Sequence, residues 1–533
     1  MSFSHSKDDK AYPDLENAYS SSQVVTEDLD RKLSVRIVNL ITIGGVIGSG
    51  LLLGTSQALA NSGPVSLVLN FIIMGISVYV TMISLGEMAS FIPVAGLFTS
   101  YARRFGSESL GFAILSNYWF NDALSVASDL TAMSLVLEYW NSNFHYYIVS
   151  IIVWVALLIF NLLPVRLYGE IEYWLAILKV VTIFIFFIIS IVVNAGVNPD
   201  HVYIGFSNYH DTPFVDGFKG FAKVFVTSAF TYGGLESITL TAGETKNPTR
   251  NIPKTIKLVF IRILIFYVLT TFFIGLNIPV NYPGLLTKSV QTSPFTISFH
   301  MVGAKAAGSF MNAVVLTSLI SAGNHALYAG SRLGYTLGTE RYLPKFLTKT
   351  NRWKVPYIST IITWFIGGLC FGASFVGAGT LWTWLQCIVG VSNQFSWWTI
   401  AIISIRFRRG LAKQGKTHLL NYVNWTYPYG PWLNLIFISF IILVQGWSAF
   451  APWDVTSFFQ SYLEVGVFPL SFIIWYIVYY FKNGKFDKFM KYEEMDFETD
   501  RYIQTQEEID QDVYEQSLSG WKKFRYNFVD NFL

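Results

Sequence analysis

Residues 121–130 read NDALSVASDL and lie inside an apolar stretch running from Leu110 to Trp140. Carboxylates in such a setting can hold a cation, pair with a buried base or carry a proton. An ionised side chain near a bilayer centre is costly and marks a pathway for substrates, ions or protons. Residues seven apart share one face of a helix, about 10.5 Å apart along its axis. Asp122, Ser125 and Asp129 therefore form one polar stripe, with Asn121 and Ser128 beside it. Lipid offers that stripe no partner, so it should face the inside of a helix bundle. A structural reading stays open, in which neutral or salt-bridged carboxylates tie helices together. Lys179, in Ile177-Leu-Lys-Val180, is a further ionisable group in an apolar run. It could snorkel to an interface or pair with a nearby carboxylate.

The elements that position these groups follow from composition. The 533-residue chain is 52% hydrophobic and 13% charged, roughly half the charged fraction of soluble domains. Its apolar residues come in blocks of about 20, enough to cross a hydrocarbon core. An all-α polytopic membrane protein is expected, in contact with the lipid bilayer. Net charge is +3, so no nucleic-acid partner is suggested. Cys370 and Cys387 sit in apolar runs and make neither a disulfide framework nor a metal site. No nucleophile elbow, metal-ligand spacing or phosphate loop is present, so neither an enzyme nor a cofactor is expected. The polar start lacks the pattern of a signal peptide, so the first span should serve as its own insertion signal.

Hydropathy predicts twelve spans, near residues 37–60, 65–91, 110–140, 146–164, 173–194, 220–242, 258–278, 307–338, 357–376, 381–404, 432–451 and 461–481. The third and eighth exceed what a perpendicular helix needs and should tilt. With residue 1 cytosolic, Lys and Arg concentrate in the inner loops, as at Arg103, Arg104, Arg406, Arg408 and Arg409. The outer loops carry few, such as Lys219, Lys288 and Lys305. This asymmetry puts both termini in the cytosol. The sequon Asn424-Trp-Thr426 then faces the cytosol. Residues 1–35 read as an N-terminal cytosolic tail, 36–481 as the twelve-helix domain and 482–533 as a C-terminal cytosolic tail. Both tails read as solvated and disordered.

Two spans are interrupted by glycine. The first contains Ile43-Gly-Gly-Val-Ile-Gly-Ser-Gly50, and the sixth contains Phe230-Thr-Tyr-Gly-Gly-Leu-Glu236. Gly44 and Gly48 alone could serve close helix packing. If spans 1–5 and 6–10 are inverted repeats, however, the two breaks occupy corresponding positions, which points to a transporter binding site. Unwinding frees backbone N–H groups at a half-helix start, and these attract a carboxylate. Gly48, Ser49 and Gly50 would supply them. Carbonyls freed at the ends of the other half-helices attract a cation. An amino-acid backbone carries both charges.

These features, with Ser62-Gly63-Pro64, Gly86-Glu87, Pro93, Ala242-Gly243-Glu244, Asn247-Pro248, Ile252-Pro253 and Ser331-Arg332, occur in order along the chain. Over roughly residues 31–500 it resembles the fungal amino acid permeases of the amino acid–polyamine–organocation superfamily. The resemblance implies a LeuT-like 5+5 inverted repeat of twelve transmembrane helices, with helices 1 and 6 broken. It also implies a plasma-membrane location and proton-coupled uptake of amino acids, with the substrate and a proton as partners. By position, Ser49 and Gly50 would bind the substrate carboxylate. Carbonyls around Val46 and Phe230 would receive its ammonium group. The Phe230 ring would gate the site, with Thr231 and Gly234 of the same break beside the substrate. Glu236 resembles the family's acid near the proton path, although Leu235 stands where a threonine is common. Lys179 stands where sodium-coupled relatives hold the ion. Desolvation favours the neutral form of a buried amine, so a proton-coupling role is chemically reasonable.

Asp129 falls where permeases for basic amino acids have a glutamate, and Asp122 where many have a tryptophan. Two acids on one face suit a substrate with positive charge beyond its α-ammonium group. Lysine, arginine and sulfonium amino acids qualify. The run from Asn117 to Leu130 and Ser321-Ala-Gly-Asn-His-Ala326 look most like the S-adenosylmethionine and S-methylmethionine permease branch. The alternatives are a broad-range amino acid permease and a non-transporting sensor on the same fold. The short tails favour transport over the sensor.

Overall fold

The computed structural model describes residues 47–93, 97–140, 146–198, 201–236, 248–283, 285, 293–303, 305–450 and 452–521. Val46, Gly44 and the Ala242-Gly243-Glu244 motif lie outside the described residues. What is described is helical, apart from one isolated bridge between Phe450 and Trp453. Among the described residues, eight helices are long and apolar enough to cross a membrane. A shorter apolar helix lies at Tyr147–Leu162. The Glu108–Leu137 helix is equally long but carries the polar stripe and falls outside that set. It packs most extensively against the helices Lys305–Thr339 and Ala378–Lys413, as a helix with polar groups to hide from lipid should.

The sequence motifs acquire mechanical reasons here. Gly63 has φ +85° and separates the Thr55–Ser62 helix from Pro64–Phe91. A Cβ there would lie 2.7 Å from the Pro213 carbonyl oxygen, and Pro64 suits the first helical position. Gly86 allows the Pro64–Phe91 and Pro248–Arg262 helices to touch; its Cβ would lie 1.8 Å from Ile256 Cδ1. Glu87, next to it, is buried and accepts the Asn424 N–H at 2.7 Å, with Arg408 Nε at 3.6 Å. The Asn424 amide donates to Ser84 at 3.0 Å and is only 2% exposed. The sequon is therefore a buried structural turn, inaccessible as a glycan acceptor.

Two expectations are corrected. The fifth span begins at Val165 and not near Tyr173, because Pro164 provides its start. Lys179 then lies about 21 Å into the helix, is 2% exposed and cannot snorkel. The C-terminal tail is not wholly solvated either. Residues 487–502 form a clasp on one end of the bundle. The Met490 N–H donates to the Gly106 carbonyl at 2.7 Å, and Tyr502 N–H to the Phe91 carbonyl at 3.1 Å. Asp487 accepts the Ser109 N–H at 2.7 Å. Arg104 bridges to Asp496 at 3.2 Å and Asp500 at 3.4 Å, and Lys416 to Glu498 at 2.8 Å. Phe497 is fully buried, with ring centroids 5.4 Å from Phe105 and 5.7 Å from Phe407. Acidic composition alone suggests solvation; here the acids meet basic helix ends and Phe497 supplies an apolar anchor.

Candidate substrate site

The described parts of the two glycine-rich segments face each other. Ser49 precedes a π-helical turn, Gly50–Gly54, that runs into Thr55–Ser62. Its side chain does not cap that turn. In the other break, the Gly217–Tyr232 helix stops at Gly233 (φ −56°, ψ 149°), and Gly234 takes φ +86°. That conformation strongly favours glycine. A Cβ on Gly50 would lie 2.7 Å from Thr231 Oγ1, and one on Gly233 would lie 2.0 Å from Asn393 Nδ2. Both glycines are therefore needed for close approach as well as for the breaks.

One cavity lies against these breaks. Gly48, Ser49, Gly50, Asp122, Ser125, Asp129, Phe230, Thr231 and Gly234 all line it. His325, which the sequence suggested as a residue shaping the pocket, also lines it, whereas sequence reasoning missed Tyr118, Asn121, Gly233 and Asn393 as wall residues. Asn121 donates to the Val389 carbonyl, to Ser392 Oγ and to Asn393 Oδ1 at 3.1, 2.9 and 2.9 Å. Asn393 donates in turn to the Ala229 carbonyl at 3.1 Å. This amide brace holds the stripe helix against the second break. Ser125 turns back to its own helix, donating to the Asn121 carbonyl at 2.9 Å.

The two aspartates have different surroundings. Asp129 Oδ1 accepts the Ser49 hydroxyl at 2.6 Å, and the Ser49 N–H also donates to Asp129. Asp129 therefore sits on the group expected to receive a substrate carboxylate. Asp122, two turns away, is half-buried on the cavity wall, and its Oδ2 has no hydrogen-bond partner among the described residues. Glu236 is fully buried near Asp122, receives the Trp397 indole N–H at 3.3 Å and is hydrogen-bonded by Tyr118. Neither Glu236 nor Lys179 lines the cavity. Lys179 lies behind it, within electrostatic reach of Asp129 and Glu172. Glu172 was not singled out from the sequence, because that position fell before the expected start of its helix. The seven-residue spacing to Lys179 was the available signal.

The geometry is a chamber between the two glycine-rich segments, with Asp122 Oδ2 on its wall as a carboxylate oxygen that no group among the described residues satisfies. The family profile described as Amino acid permease matches residues 38–491. The chain belongs to the amino acid permease family. A probable amino-acid permease of Schizosaccharomyces pombe is 40% identical over 492 residues, covering 89% of this chain and 96% of that protein. The basic amino-acid permease of Saccharomyces cerevisiae is 36% identical, covering 88% and 85%. The lysine-specific permease LysP of Escherichia coli is 36% identical, covering 88% and 96%. Among solved structures, a manganese transporter of Eremococcus coleocola superposes with a TM-score of 0.51 at 12% identity, covering 83% of this chain and 94% of that one. That likeness concerns the fold alone. As an amino acid permease, the chain is a multi-pass membrane transporter and not an enzyme, and it takes small-molecule amino acids as substrates.

Proposed function

We propose that this permease imports cationic amino acids across the plasma membrane, coupled to protons. One observation carries the substrate class: the Asp122 carboxylate lines the cavity with an oxygen that no group among the described residues satisfies. A buried unpaired acceptor is costly, and a positive group at the far end of a substrate would satisfy it. Lysine and arginine offer hydrogen-bonding cations. A sulfonium, as in S-adenosylmethionine or S-methylmethionine, offers a fixed charge that the Tyr118 and Phe230 rings would also suit. The names of lysine-specific and basic amino-acid permeases among the relatives favour the same class.

The twelve-helix, 5+5 inverted-repeat reading is supported by the pairing of the two breaks across one cavity. In that scheme Gly48, Ser49 and Gly50 bind the substrate carboxylate, and carbonyls around Val46 and Phe230 take its ammonium group. Asp129 and the substrate carboxylate then compete for Ser49. Protonation of Asp129 removes the like-charge repulsion and frees the Ser49 donors. A proton on Asp129 thereby favours binding of the carboxylate. Lys179 supplies fixed positive charge beside Asp129, and Glu236 lies beside the route. Cytosolic termini fit the Lys and Arg bias of the loops and the basic helix ends under the tail clasp.

The test is uptake of labelled lysine, arginine, S-methylmethionine and leucine into permease-deficient cells, with and without a proton uncoupler. Preferred uptake of the cationic compounds, abolished by the uncoupler, is expected. Equal uptake of leucine would instead support the broad-range reading, and no uptake at all would support the sensor.

A further inference from the structure

Behind the substrate cavity lies a second group of polar side chains that binding does not use. Glu172 and Lys179 are seven residues apart on the Val165–Asn194 helix, so they share a face. Helical side chains lean toward the helix N-terminus, which aims the Lys179 chain at Glu172. Glu172 is fully buried. Its Oε2 accepts the Ser321 hydroxyl at 2.6 Å, and its Oε1 accepts the Asn324 amide at 2.9 Å. Asn161 donates to the Asn324 oxygen at 2.7 Å, which fixes that amide with its nitrogen toward Glu172. Both carboxylate oxygens therefore receive donors from the Lys305–Thr339 helix. That donor set suits an ionised carboxylate.

Lys179 lies within reach of two carboxylates, Asp129 and Glu172. Among the described residues, the other titratable groups close to the pair are His325, near Lys179, and Tyr168, near Glu172. His325 and Tyr168 bond each other at 3.0 Å. Asp129 can release its hold on Lys179 only if the ammonium keeps an anion elsewhere, because an unpaired buried charge is strongly unfavourable.

We propose that Glu172 is a positioning residue for proton coupling, holding the Lys179 ammonium when Asp129 is neutralised. The proton adds to an Asp129 carboxylate oxygen, and Lys179 keeps its own proton throughout. Ser49 then passes from Asp129 to the substrate carboxylate, while Glu172 remains the counter-charge of Lys179. Without Glu172, Asp129 is the carboxylate left within reach of Lys179 among the described residues, and Lys179 holds it ionised. At saturating lysine the substrate carboxylate can still displace the ionised Asp129 from Ser49 and exchange, but a pH gradient no longer drives accumulation. The role rests on the proton-coupled reading above.

The test uses purified protein in liposomes and labelled lysine as the probe. Two quantities are measured: lysine–lysine exchange at saturating lysine without a gradient, and accumulation driven by an imposed pH gradient. Glu172→Gln should keep exchange within about twofold yet lower gradient-driven accumulation about tenfold, the effect of one unit of differential protonation. Glu172→Asp should restore much of the accumulation. Normal gradient-driven accumulation by Glu172→Gln would overturn the assignment. So would an equal loss of exchange and accumulation with no rescue by Glu172→Asp, since that is the behaviour of a purely structural residue. A wild-type protein that exchanges lysine but ignores the gradient would overturn the proton-coupled reading, and this inference with it.

Discussion

Ser49 and Asp129 come from two different helices, and the Ser49 hydroxyl donates to Asp129 Oδ1 at 2.6 Å. The contact places the stripe's second aspartate on the first glycine-rich segment and not at the far end of the chamber. The two acids therefore serve different ends of a substrate. Asp129 answers to the backbone end, and Asp122 to the side chain.

Asp129→Asn keeps an acceptor for Ser49 but cannot gain a proton. It should reach the cell surface, lose at least about tenfold in net lysine uptake, and lose the pH dependence of what remains. Uptake against external pH, alongside surface labelling, measures this. An unchanged pH profile would remove Asp129 from the coupling scheme.

Asp122→Asn removes the charge from the unsatisfied wall position. The KM for lysine should rise about tenfold, equivalent to about 1.4 kcal/mol, while a neutral competitor such as leucine gains relative to lysine. A competition panel reads this directly. The same lysine-to-leucine ratio in wild type and variant would return Asp122 to a structural role.

Gly233→Ala forces a methyl group onto Asn393 Nδ2, 2.0 Å from its ideal position. Overpacking of this kind costs about 2 kcal/mol. It would also break the amide brace from Asn121 through Asn393 to the Ala229 carbonyl. Both the thermal midpoint in detergent and lysine affinity should fall. Gly234→Ala meets no atom within 4 Å, but its φ of +86° strains any side chain, so it should destabilise without disturbing Asn393.

Phe497→Ala empties the anchor of the tail clasp. Truncating a buried phenylalanine costs about 3 kcal/mol or more. Residues 487–502 should lose hydrogen-exchange protection while the bundle keeps its own. Protection that stays unchanged would mean the ion pairs alone hold the tail.

The clasp should also be insensitive to pH over the working range. Partial burial raises the Asp496 carboxyl, but hydrogen bonds from Thr499 and Glu498 and the nearby Arg104 charge outweigh it and hold it at about 2. A depressed carboxylate contributes stability above its unfolded value, near 4, and loses it as pH falls toward 2. Tail protection should be flat from pH 5 to 8 and decline only below about pH 4. A decline between pH 7 and 5 would point to a different titrating group.

The helix content, the membrane class, the two glycine breaks and the polar stripe are legible in the chain. Each is a property of composition or of spacing along one helix. Glu172, Asn393 and Trp397 were harder to see, because each acquires meaning only from a partner on another helix. The start of the fifth span illustrates the limit. Hydropathy discounts Glu170 and Glu172 as loop residues, whereas Ser321 and Asn324 allow Glu172 to be buried within the span. The tail shows the same limit at the surface, where acidic composition gave no sign of the arginines and aromatic rings that receive it.

Sequence by itself determined which groups are too polar for lipid and therefore must face inward. It could not determine what each meets there. Asp122 and Asp129 are equivalent by spacing, since both lie on one face of one helix. Only the tertiary structure makes them different, by bringing Ser49 to one and leaving the other with an open oxygen. The reason is physical: the cost of burying a charge is local to a residue, while its compensation comes from whichever neighbour the fold delivers.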